Sequence, residues 1–415
     1  AATFDVTERD TGAYVQWNYN YTIFGKDVNG NLGVRQVKTQ IGARGRTSVG
    51  NPIRETNEYN DTLPSFNMNI HALDNLYVRL AASKAMARPT LANLSPAISA
   101  ISVPNDGSTQ GASLTVGNTQ LKPYRSKNYD LSVEWYFAKE SLLSFAMFDK
   151  EIASFPQTIL FDGKLSDFLD ADSIAATKLQ FTGTATQIAN QIAYIDAGNP
   201  FTARQIRDAP GGSLWGWEVN YQQPFTFLPG FWKDFGTQIN ATHIDSKLTY
   251  ILDPGARANG VQTKPQITAN GPWLNASPDA INFTLYYQSK KIDGRVSIAH
   301  REGYYTTYPI ATGTCNPGLL DPTSAGLANG AAGASASQTP CTSPLVNDFA
   351  GSQATTNVDA SVTYSFTEHL QFRLEGLNLT NQTSNRYAYP KTASPVVTLY
   401  SSPGTQITAS VRFKY

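Results

Sequence analysis

The sequence has no surplus of charge of either sign. It carries 32 Lys and Arg against 32 Asp and Glu in 415 residues, and charged side chains make up only 15%. A nucleic-acid partner needs a basic excess to neutralise phosphates, so that class is excluded. Cysteine is nearly absent. Cys315 and Cys341 lie in one Gly/Ala/Ser-rich segment, with no metal or redox motif around them. A local Cys315–Cys341 disulfide in an oxidising compartment is the favoured reading, and two unrelated thiols is the other. The four histidines, His71, His243, His300 and His369, are scattered. No H-E-x-x-H, G-x-S-x-G, G-x-G-x-x-G or phosphate-loop motif occurs, and no carboxylate pair has a distinguishing spacing. Neither an enzyme nor a metal or cofactor is expected. No run of about 18 apolar residues exists, which excludes a transmembrane helix but not a membrane strand. The opening Ala1-Ala2-Thr3-Phe4-Asp5 lacks a basic region and an apolar stretch, so it does not read as a signal peptide.

What is present is a two-residue period. Leu131, Val133, Trp135 and Phe137 alternate with Ser132, Glu134 and Tyr136. Ile281, Phe283, Leu285 and Tyr287 alternate with Asn282, Thr284, Tyr286 and Gln288. Successive strand side chains point to opposite faces, so one face is apolar and aromatic and the other polar. That polar face carries Arg79, Glu134, Arg295, Arg373 and Glu375, which a water-filled lumen tolerates. The runs reach about 10–13 residues, enough for a tilted strand to cross a bilayer.

Thirteen candidate strands follow, at roughly 12–24, 30–44, 62–72, 75–87, 126–137, 140–153, 212–224, 233–248, 277–289, 291–304, 354–366, 368–380 and 404–415. Their connections alternate between short turns and long loops, the longest at about 45–61, 88–125, 154–211, 249–276, 305–353 and 381–403. Short periplasmic turns and long extracellular loops are the pattern of an outer-membrane barrel. The fold class is therefore all-β, a transmembrane antiparallel barrel. An odd number of strands cannot close with every neighbour antiparallel, so either the count is off by one or further strands lie upstream, and the second is the better explanation.

Several segments resemble the TonB-dependent receptor family, in the branch common in Caulobacter- and Xanthomonas-like bacteria. Asn29–Thr39 resembles its GN-x-GVR-x-V-x-T strand, and Tyr59–Asn67 its Y-x-x-x-LPS-x-N segment. Arg79–Pro89 resembles R-x-A-x-S-x-x-x-x-RP, and Asn118–Pro123 with Tyr129 resembles GN-x-x-LKP followed by N-x-D. Gly216–Gly230 resembles G-x-E-x-x-YQQ-x-F-x-FLPG. Leu374–Asn381 and Gly404–Tyr415 resemble the last two strands. The resemblance implies a 22-stranded barrel around an N-terminal plug. Residues 1–415 would supply its C-terminal thirteen strands, with the plug, the TonB box and the first strands outside this sequence.

Its implied function is uptake of a scarce solute, an oligosaccharide ahead of a ferric siderophore, powered by TonB-ExbB-ExbD through the plug. The implied partners also include outer-membrane lipids and the barrel assembly machinery, which reads the C-terminal strand. A passive porin-like channel and a surface adhesin or structural subunit are the alternatives. Trp273, Asn275, Arg301, Glu302, Tyr304, Tyr305 and Tyr308 are the candidate ligand residues. They join aromatic faces to hydrogen-bonding groups at the base of long loops. Ordinary loop packing is the competing reading for each. Trp215, Trp217, Trp232, Phe413 and Tyr415 are expected in the interfacial aromatic girdles. Arg88 and Pro89 are read as ending a strand and setting the direction of a loop.

Overall fold

In the computed structural model, residues 4–46, 52–96, 98–109, 111–253, 256–258, 261–264, 266–309, 348–388 and 396–413 are described. Thirteen strands form one antiparallel wall in chain order. They are β1 (Phe4–Ile23), β2 (Lys26–Arg46), β3 (Pro52–Leu73), β4 (Leu76–Ala87), β5 (Tyr124–Ala138), β6 (Ser141–Gly163) and β7 (Phe201–Pro224), then β8 (Phe235–Asp253), β9 (Asp279–Gln288), β10 (Ile292–Arg301), β11 (Thr355–Ser365), β12 (Leu370–Leu377) and β13 (Gln406–Phe413). Each overlaps one strand expected from the period-two pattern. The tight turns lie at one end of the wall. At the first, Phe24 (φ 50°) and Gly25 (φ 71°) both adopt the left-handed conformation that a two-residue hairpin turn demands.

The register puts apolar side chains on one face. Val78, Val133, Phe145 and Val219 form one cross-strand row, and Val362, Leu374 and Ala409 another. The same face holds large exposed apolar groups, among them Ile407 at 71% and Val411 at 58% of full exposure. So broad a patch belongs against lipid, not water.

Several strands run well past the bilayer. The expected loop at 45–61 is mostly strand, since β3 begins at Pro52, and β6 and β7 reach Gly163 and Phe201 across the expected loop at 154–211. Residues 52–61 carry no apolar alternation, and Tyr59 is the one buried apolar side chain among those described there. The hydrophobic period therefore ends at the membrane while the backbone pairing continues.

The buried clusters sit in this overhang. Two helices, α1 (Ala171–Lys178) and α2 (Ala185–Asp196), pack with the hairpin of residues 98–102 and 112–116 around Leu114, Leu165, Tyr194 and Phe201. Asp170 and Thr184 cap the helices by accepting hydrogen bonds from the Ser173 and Gln187 backbones. Residues 112–116 then add in parallel to the edge of β7 at 201–205. Among the described residues, β1 and β13 each pair on one side only. Both are exposed on both faces along most of their length.

Candidate functional site

The face opposite the lipid rows is lined with amides. Asn18, Asn31 and Asn67 lie in one row, and Asn20, Asn29, Asn69 and Arg79 in the next. Asn67 donates to Asn31 at 2.9 Å and Asn69 to Asn29 at 3.1 Å. Arg79 donates to Asn69 at 3.0 Å and grips Glu134 through two nitrogens at 2.8 and 3.1 Å. Farther along, Asn220, Asn240 and Asn282 form a third row, with Asn240 donating to Asn220 at 2.6 Å. Arg373 pairs with Glu375 at 2.6 Å. The charges expected on this face are there, and sequence reading placed them correctly. It missed their pairing and the amide rows, whose signal was the recurrence of Asn at polar-parity positions.

Above these rows the segment between β4 and β5 is wedged against the wall. Pairing of β3 with β4 stops at Ser65 and Ser83, although both strands continue. Leu94 and Leu121 fill the gap by packing on Ile41 and Tyr59. Asn57 donates to the carbonyls of Thr119 (2.9 Å) and Leu121 (3.2 Å), and Glu55 accepts from Thr119. Arg88 does more than end a strand. It reaches Asp10 at 2.8 Å and Glu8 at 3.4 Å. Arg125 spans the split to Asp61 at 2.5 Å, and Asp61 is only 4% exposed.

The seven candidate ligand residues come together at the loop ends of β8, β9 and β10. Tyr305 and Tyr308 stack on Phe349 with centroids 4.2 and 4.1 Å apart, and Tyr250 meets Tyr308 edge-on. Trp273 packs against the same cluster. Burial, with the Asp348 carboxylate nearby, pushes the Tyr308 phenol up to about 12. Asn275 adopts φ 65° and its N–H donates to the Tyr305 carbonyl at 2.7 Å. The Arg301 guanidinium lies 4.1 Å over Tyr304, donates to Ser277 Oγ at 2.5 Å and reaches the Asn275 carbonyl at 3.3 Å. Glu302 lies 3.6 Å from His300. Arg301, Glu302 and Asn275 are exposed, whereas Tyr308 is buried. The group thus offers a rim of polar heads on an aromatic base.

Trp215 and Trp217 share the outward face near the loop side, on either side of His243. Trp232 lies beside Phe231 in the turn after β7, and Phe413 is exposed at the end of β13. Cys315, Cys341 and Tyr415 fall outside the described residues. Among the described residues, no group of His, Cys, Asp and Glu could hold a metal ion.

Residues 1–379 match the family model described as "TonB dependent receptor-like, beta-barrel". The siderophore receptor PiuA from Acinetobacter baumannii has a similar structure, with TM-score 0.54 and 14% identity, covering 99% of this chain and 44% of that one. The siderophore receptor PirA from the same organism gives 0.51 and 11%, covering 100% and 55%. At these identities the likeness is one of fold. The chain spans about half the length of either receptor. No curated protein matches it.

Proposed function

The chain belongs to the TonB-dependent receptor β-barrel family, and from that premise we propose that it forms the extracellular loops and part of the wall of a receptor importing a scarce solute. The family places it in the outer membrane as an integral barrel, in keeping with the exposed apolar belt. The observation that carries the reading is the lumenal face, where amides and paired charges line a wall whose other face is apolar. Such a surface exchanges hydrogen bonds with a polar solute without trapping it on an unpaired charge.

Neutral amide rows favour a hydroxyl-rich solute, an oligosaccharide, since Asn both donates and accepts. A ferric siderophore is the second reading, favoured by the names of the structural neighbours. Energy would come from TonB-ExbB-ExbD through a plug, and the assembly machinery would read β13. The wall would be thirteen strands of a larger barrel. Its odd strand count and its two one-sided edges support that reading. Growth of a deletion strain on candidate glycans and in iron-limited medium tests the substrate. A defect confined to one glycan supports the first reading, and one confined to iron limitation replaces it with the second.

A further inference from the structure

Three aromatic rings face the lumen at the short-turn end of the wall, where lipid does not account for them. In β5, Trp135 and Phe137 share the lipid face, and Tyr136 between them points the other way. His71, Tyr77 and Glu134 form one cross-strand row. That row continues through Ser144 into the row of Asn220, Asn240 and Asn282. His71 meets Tyr77 edge-on with centroids 4.5 Å apart, and Tyr77 meets Tyr136 at 5.8 Å and 89°. Interfacial girdles present their aromatics to lipid, so these three rings stand apart from them.

One ion pair completes the cluster. The Arg79 guanidinium lies 5.9 Å from the Tyr77 centroid and holds Glu134 through two nitrogens. Tyr136 Oη donates to the same carboxylate at 3.1 Å. The pair is closed on itself, so a charged solute finds no free counter-charge here. Tyr136 is 44% exposed. Among the described residues, the His71 imidazole makes no hydrogen bond. The surface thus sets open ring faces beside a neutral group of donors and acceptors. A pyranose has the matching surfaces, apolar C–H faces above and below its ring and hydroxyls around the edge. It can stack on an aromatic face while its hydroxyls exchange hydrogen bonds with carboxylate, guanidinium and amide groups.

We propose that Tyr77 and Tyr136, with His71, Arg79 and Glu134, form a subsite for a neutral sugar ring at the periplasmic end of the lumen, where the amide row ends. The inference rests on the oligosaccharide reading of the transported solute. The test uses cells carrying the full receptor and linear hexasaccharides of glucose, xylose and mannose, each bearing a photoreactive diazirine. Irradiation during uptake, followed by mass spectrometry of receptor peptides, reads where each sugar lies.

For a hexasaccharide that is taken up, labelling should appear on residues 69–79 and 132–138 as well as at the rim on residues 273–308. Excess unlabelled sugar should suppress both. Tyr77→Leu with Tyr136→Leu removes the ring faces and should lower the lumenal labelling about tenfold, with the rim labelling unchanged. Tyr77→Phe with Tyr136→Phe, which keeps both faces, should retain it. Rim labelling without lumenal labelling overturns the proposal and leaves the oligosaccharide reading standing. Labelling at neither place by any of the three sugars overturns both. Equal lumenal labelling of the unaltered receptor and a folded double Leu variant also overturns the proposal. Where that variant does not assemble, the labelling pattern of the unaltered receptor decides alone.

Discussion

The ring of Tyr286 occupies the space where residue 236 would carry a Cβ, which would lie 2.2 Å from the ring. Gly236 is therefore required by close approach of a cross-strand aromatic and not by its own backbone angles. Gly236→Val should destabilise the barrel by about 1–3 kcal/mol, read as a lower midpoint in heat-modified gel migration. Gly294→Ala, whose nearest neighbour would lie 3.7 Å away, should leave that midpoint unchanged. Tyr308 carries a pH dependence. A phenol with folded pKa about 12, above the ordinary 10, contributes stability that is complete below pH 10 and is lost as pH rises towards 12. Fluorescence of Trp273, which packs on the same cluster, should shift in that window, and Tyr308→Phe should weaken the shift. An unchanged profile in the variant would assign the transition elsewhere. The sequence offers Trp273 and the Tyr305–Tyr308 pair as candidates on two different loops and does not show that they meet. Nor does it reveal Phe349, the ring between the two tyrosines, because nothing local ties residue 349 to residue 305.

Among elements, the wedge between β4 and β5 is the most consequential departure from a plain barrel hairpin. It replaces β4 as the neighbour of upper β3 and is held by Asn57, Glu55 and Arg88. Arg125→Ala would leave buried Asp61 without its cation, at a cost of about 3 kcal/mol. Proteolytic cleavage within residues 88–123 should accelerate about a hundredfold while the wall stays folded, because cleavage follows the population of the opened segment. Unaltered cleavage would mean that the ion pair does not hold the split closed. The strands were legible in sequence up to the bilayer edge, where lipid imposes strict alternation. Beyond it, in β3 from Pro52 and in β6 up to Gly163, pairing persists without that constraint and the pattern fades. The helices were missed for a related reason. Each is short and sits in a segment whose apolar residues serve a small local core.

For the whole molecule, one face is made for lipid and the other for water. The thirteen-strand count was readable because every short turn interrupts the period at the same side of the wall. What the wall encloses was not readable, since lumenal amides are ordinary polar residues until register aligns them. The same rows should let Asn240→Leu, which breaks its 2.6 Å bond to Asn220, lower uptake of a polar solute several-fold, with the barrel still folded. Both amides are half-buried, so the lost hydrogen bond is worth about 0.5–1.5 kcal/mol. The central claim is active uptake through this barrel. Its most direct test is uptake of labelled solute by cells carrying the full receptor, with and without TonB. The account predicts accumulation that requires both the receptor and TonB and collapses when the proton-motive force is discharged. Uptake that depends on the receptor but persists without TonB would contradict it and make the barrel a passive channel.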